Sequence, residues 1–292
     1  MDDAGLAARF EAVPYHASLG LRVEAVEAER VRLRLPYKDD NANPGQALHG
    51  GATASAIDAA GALIGWVALG GRAELEAATL DLSVDYLSAA IAQDIIVTAE
   101  VLRRGKELVY SAVDVRTDAG KRIAIGLSTY RGFDVGADAR ALERQFAVAA
   151  APPSGGTEVI KGAHAFVSSP YMARLGIAVE GAHGGAARLA MPCTSDKCDA
   201  DGAVHEGALA ALIDSSGALA AWSMVGLDMR FKASTVGIHV SFHARVPRRA
   251  VVAQARTLRR NNEIFLNEVT VAARDSGGVV ATGAVTYRIV IP

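Results

Sequence analysis

The chain repeats itself. His49 recurs as His205, Ile57-Asp58 as Ile213-Asp214, Gly61 as Gly217, Trp66 as Trp222 and Thr79 as Thr235, always 156 residues on. Leu19-Gly20-Leu21 and Leu175-Gly176-Ile177 keep the same spacing, and one extra glycine near Gly277-Gly278 moves it to 157 for Tyr130 and Tyr287. A register held from Leu19 to Tyr130 means a duplicated domain, which restricts the fold more than any other feature of the chain. The copies divide as 1–133 and 169–292. Between them lies a linker, 134–168, with a short helix expected over 137–150 and the loop-forming run APPSGG after it.

Each copy has one order of elements. A strand opens it, with Val31, Leu33 and Leu35 alternating with Arg32 and Arg34, and has a counterpart near 186–191. An irregular stretch leads into a long apolar helix. Four strands follow, near 79–86, 95–102, 108–115 and 122–130, with twins near 235–242, 251–258, 264–271 and 279–290. A period of two puts Leu80, Leu82, Val84 and Tyr86 on one face and Thr79, Asp81, Ser83 and Asp85 on the other. The expected fold class is α+β: in each copy an antiparallel sheet wraps one long buried helix. Two copies can pair edge to edge and cover each other's open flank.

The apolar segment 51–69 has the length of a membrane span. Its content is mostly Ala and Gly, and Asp58 stands at its centre, so a core helix buried on nearly every side is expected instead. The opening MDDAGLAARF lacks the basic start and apolar centre of a secretory signal, which points to the cytoplasm. A net charge of -2 gives no field to attract nucleic acid. Cys193 and Cys198 are too few for a disulfide framework and match no zinc spacing, so they read as ordinary thiols and no metal is expected.

Asp58 and Asp214 are then the oddities. An ionised carboxylate inside an apolar helix costs several kcal/mol unless it has a partner or a task. The start of the same helix, at Gly50-Gly51, offers free N–H groups and little bulk, a place for an oxyanion. Asp58 lies eight residues after Gly50, about 12 Å along the axis, too far to serve the same carbonyl. Two antiparallel helices related by a two-fold axis would solve this, each Asp facing the other helix's beginning.

The segment NANPGQALHGGATASAID resembles the signature of hotdog-fold acyl-CoA thioesterases of the PaaI-like group. In that group an Asn precedes the His of HGG by six residues and an Asp follows it by nine; Asn43, His49, Gly50 and Asp58 fit. A Ser or Thr opening the next strand belongs to the family site, and Thr79 and Thr235 fit that place. The resemblance covers both copies and implies two tandem hotdog domains hydrolysing an acyl-CoA thioester to free acid and coenzyme A, with no separate cofactor.

It further implies one site made of Asn43, His49 and Gly50 with Asp214 and Thr235, and a second made of Asp199, His205 and Glu206 with Asp58 and Thr79. Copy two departs from the pattern with Asp199 in place of Asn and Glu206 in place of Gly, so the first site is expected to carry most of the activity. The basic turns Arg103, Arg104, Lys106 and Arg259, Arg260 are candidates for coenzyme A phosphates, with Arg248-Arg249 a further one. Solvated turn charge is the competing reading. The Asp pair could instead cap helix ends, and the His pair could simply cap or pack its loop. A hotdog dehydratase or hydratase, or a silent acyl-thioester binder, competes with the hydrolase. Further association of double-hotdog chains is expected; the acyl group is not legible.

Overall fold

The computed structural model describes residues 3–71, 75–134, 157–228, 230–245 and 247–291. The linker helix expected over 137–150 lies outside them. Among the described residues the chain begins with helices α1 (Asp3–Glu11) and α2 (Pro14–Leu19), then strands β1 (Arg22–Glu27) and β2 (Arg30–Leu35). The core helix α3 (Gly50–Ala68) follows, then β3 (Leu75–Tyr86), β4 (Ile95–Arg104), β5 (Leu108–Thr117) and β6 (Arg122–Asp134). Copy two repeats the order with α4 (Ala163–Phe166), α5 (Pro170–Leu175), β7 (Ala178–His183), β8 (Ala186–Met191), α6 (Glu206–Val225), β9 (Lys232–Phe242), β10 (Val251–Asn261), β11 (Ile264–Ala273) and β12 (Val279–Val290).

Two strands, not the one expected, precede each core helix. The first is missed because Arg22–Glu27 is exposed or half-buried throughout and leaves no alternating signature. The short helices α2 and α5, each started by a proline and ended by a left-handed glycine, were also not foreseen.

All twelve strands form one antiparallel sheet in the order β1-β2-β4-β5-β6-β3-β9-β12-β11-β10-β8-β7. The halves join where β3 pairs with β9, Ser83 opposite His239. This is the edge-to-edge pairing of two helix-wrapping sheets that the duplication calls for, and it removes one exposed edge from each half. Both core helices have the length and apolarity of a membrane span, but they are largely buried inside the sheet.

Small residues set how closely the helices meet. A Cβ on Gly51 would lie 2.7 Å from the Ala211 Cβ, and one on Gly207 would lie 3.0 Å from the Ser55 Cα. As the number rises from 51 to 55 on α3, it falls from 211 to 207 on α6, so the helices cross antiparallel. Where they cross, the phenols of Tyr15 and Tyr171, equivalent by the repeat, hydrogen-bond at 3.0 Å beside Ser55. The crossing point puts Asp58 opposite the start of α6 and Asp214 opposite the start of α3.

Candidate active site

Each core helix is capped by its own histidine. His49 Nδ1 accepts from the Gly51 N–H at 2.9 Å, and His205 Nδ1 accepts from the Gly207 N–H at 3.0 Å. The capping reading of these histidines therefore holds for one ring nitrogen. It also fixes the tautomer: a neutral ring that accepts at Nδ1 carries its proton on Nε2. Neutrality follows from the surroundings, since burial first, then Arg174 for His49 and Arg245 for His205, pulls both down to about 3.

At the first site Asp214, on α6, approaches the beginning of α3 so closely that a Cβ on Gly50 would stand 3.0 Å from its Oδ2. Thr235 donates to Asp214 Oδ1 at 2.5 Å. Burial pushes the Asp214 carboxyl up to about 6, against the opposing pull of the Thr235 hydrogen bond. Tyr86, unforeseen, donates to the Gly50 carbonyl at 3.0 Å and packs beside the same residue. Among the described residues neither the Gly50 N–H nor His49 Nε2 has a protein partner.

A cavity of about 530 Å³ opens onto this group. Asn43, His49, Gly50, Asp214 and Thr235 all line it, as do Tyr86, Ala89, Phe166, Met172, Trp222 and Tyr287. Asp214, Ala218 and Trp222 form one stripe of α6, so the cavity runs about 12 Å along that helix. Trp222 stacks on Phe231 and donates to the Tyr287 hydroxyl at 3.2 Å.

The second site keeps the same frame with different contents. Thr79 donates to Asp58 Oδ1 at 2.7 Å, and Asp58 Oδ2 lies 3.6 Å from His205 Nδ1. Burial raises Asp58 to about 7, with Thr79 opposing and Asp199 adding to the rise. Asp199 is held by Arg245 at 2.6 Å. Glu206 is pushed up to about 8 by burial, then by Asp199 and Asp58. His205 Nε2 meets His16 Nε2 at 2.9 Å. None of these residues lines the 530 Å³ cavity.

The two threonines reach their carboxylates by a route that strict alternation forbids. The sequence placed Thr79 on the face opposite Leu82 and Val84; in the fold all three are buried together. A β-bulge between Thr79 and Asp81 reverses the phase, and the register skips Val236 in the same way after Thr235. The basic turns lie farther off. Arg260, Phe265, Tyr287 and Thr235 form one rung across β10, β11, β12 and β9, so Arg260 lies about 14 Å from Thr235. Arg104 shares the corresponding rung with Thr79. Arg249 pairs with Asp275 at 3.3 Å. Cys193 and Cys198 are free thiols, 3.2 Å apart, and the described residues contain no metal-binding cluster.

Tyr86, His16 and Arg245 did have a signal in the sequence. They stand where the copies disagree: Tyr86 against Phe242, His16 against Met172, Arg245 against Ala89. Matching positions reveal the fold, and mismatched ones reveal what distinguishes the sites.

The profile of the thioesterase superfamily matches residues 45–124 and again 201–280. Human acyl-coenzyme A thioesterase 13 is 31% identical over 102 residues, 34% of this chain and 71% of that protein. Among solved structures, acyl-CoA thioesterase II TesB2 of Mycobacterium marinum superposes with a TM-score of 0.60 at 13% identity, covering 92% of this chain and 96% of that one. A protein of Alicyclobacillus acidocaldarius described as having a hot dog fold gives 0.60 at 15% identity over 97% of this chain and 98% of its own. The chain therefore belongs to the thioesterase superfamily, as a thioester hydrolase built from two fused hotdog domains.

Proposed function

We propose that this protein is an acyl-CoA thioesterase working at the first site, with Asp214 of one copy acting on a carbonyl polarised by the other copy's Gly50. The observation that carries this reading is the 3.0 Å separation between Asp214 Oδ2 and the vacant Cβ position of Gly50, at the open end of a cavity. The free Gly50 N–H and the positive end of α3 suit the developing oxyanion. The His49 Nε2–H is a second donor aimed at the same group. Water adds to the carbonyl carbon, the C–S bond breaks, the thiol leaves as coenzyme A and the acid is released.

Asp214 must be ionised for this, whether it takes a proton from water as a base or attacks the carbonyl itself. Thr235 holds it in place and favours the charged form. Tyr86 holds the first turn of α3 where the Gly50 amide can serve. The apolar stretch between Ala218 and Trp222 receives the acyl group, and Arg260, on the Thr235 rung, with its neighbour Arg259 meets the coenzyme A phosphates.

A panel of acyl-CoA esters assayed for free thiol tests the reading. Thiol release from at least one, abolished by Asp214→Asn, is expected. Binding without release, or hydration of a 2-enoyl thioester without release, would contradict it.

A further inference from the structure

The second site has every part of the frame, but its histidine donor is taken. At the first site two donors, the Gly50 amide and His49 Nε2, lie at the cavity without a protein acceptor among the described residues. At the second site the histidine counterpart is already engaged. Beside the second helix start Glu206 carries a side chain where Gly50 has none. His205 Nε2–H is taken by His16 Nε2 at 2.9 Å, and His16 Nδ1–H passes on to the Phe10 carbonyl at 2.9 Å. This chain of hydrogen bonds is complete with both imidazoles neutral: Gly207 N–H to His205, His205 to His16, His16 to Phe10. Phe10 packs tilted against the His16 ring, 4.1 Å between centroids, and helps to hold it there.

The space is closed as well. The real Cβ of Glu206 stands at the place equivalent to the one Asp214 Oδ2 approaches beside Gly50, and Asp58 Oδ2 lies 3.6 Å from His205 Nδ1. Arg245, bound to Asp199 at 2.6 Å and Asp201 at 3.2 Å, stands where the first site has the small Ala89 of the cavity wall. In each case the residue at the equivalent place in the first site, Met172, Gly50 or Ala89, cannot make the contact.

We propose that the second site is an acyl-thioester site occupied by the protein's own side chains, in which His16 stands in for the thioester carbonyl oxygen, the Glu206 side chain fills the space beside the helix start, and Arg245 fills the mouth. His16 belongs to the N-terminal α2, so the first copy blocks the site whose base it supplies. One chain therefore has one working site. The closed site instead ties α1–α2 of copy one to the helix start of copy two through a buried polar chain.

This inference rests on the thioesterase reading for what the site would do, but not for whether it is occupied, and two measurements separate these. Introducing the lock at the working site, Met172→His, should lower kcat at least tenfold more than Met172→Leu, because the new imidazole takes the His49 proton that the substrate needs. Equal kcat in the two variants would overturn the proposal. Side-chain nitrogen NMR of the whole protein should show His205 protonated at Nε2, with a slowly exchanging, hydrogen-bonded proton that becomes fast-exchanging in His16→Met. A freely exchanging Nε2 proton in the unmodified protein, or no change in His16→Met, would also overturn it. Failure of the unmodified protein to release thiol from any acyl-CoA would refute the function and leave the NMR result to decide occupancy.

Discussion

Asp214 is a carboxylate placed where water is scarce and an acyl group could lie close. Burial holds it at about 6, so near neutral pH it is ionised but still basic enough to accept a proton. In the proposed mechanism the ionised form is the active one. kcat/KM is therefore expected to fall about tenfold per pH unit below about 6, measured as thiol release across pH 4.5 to 8. Thr235→Val removes the hydrogen bond that favours the charged form, so the limb of the profile should move to higher pH. A profile unmoved by this change, or flat through pH 6, would remove Asp214 as the ionising group. The asymmetry of Asp199 and Glu206 was legible residue by residue. The parts played by His16 and Arg245 were not, because neither lies near the motif in sequence; only folding brings α2 and the segment after β9 to the start of α6.

Among elements, the helix crossing governs the site. Gly51 is there because Ala211 leaves no room for a Cβ. Gly51→Ala should cost about 1–3 kcal/mol in denaturant unfolding, the usual range for overpacking, and should lower activity by moving the start of α3 away from Asp214. Wild-type stability in that variant would mean the helices can part freely. The antiparallel arrangement was readable from one distance, the length of helix between Gly50 and Asp58. The bulges were not readable: period two gave the wrong face for Thr79 and Thr235, and nothing in the local residues marks the extra position. The rungs of the sheet also sort the basic turns. Arg259→Ala with Arg260→Ala should raise KM for acyl-CoA by about tenfold at most with kcat little changed, and added salt should mimic it. The same pair of changes at Arg103 and Arg104 should do less.

At the scale of the molecule, the closed second site shapes how stability depends on pH. Glu206 and Asp58 have ordinary values of 4.5 and 3.8 and are held up to about 8 and 7 when folded. The folded state thus binds more protons than the unfolded chain above those ordinary values, and stability falls as pH rises until about 8. His16, His49 and His205, pulled from 6.5 to about 3, act in the opposite sense but only below 6.5. Between pH 6.5 and 8 the carboxyls act alone, so Tm should fall across that window and fall less in Glu206→Gln. An equal slope in both proteins would mean that Glu206 is not the buried acid described.

The whole-molecule plan was the most legible part of the chain, because a repeat with one unpaired sheet edge and one half-covered helix per copy has few ways to close. The sequence showed that the two resulting sites differ, at Asp199 and Glu206, but not the contacts between the copies on which the proposed difference in activity depends. The paired substitution of the two helix acids tests that outcome most directly. Asp214→Asn should lower kcat for thiol release by about 10² to 10⁴, the range for losing a general base, while Asp58→Asn, at the occupied site, should leave kcat within a few-fold of the unmodified enzyme. Comparable losses in the two variants, or a greater loss in Asp58→Asn, would contradict the account.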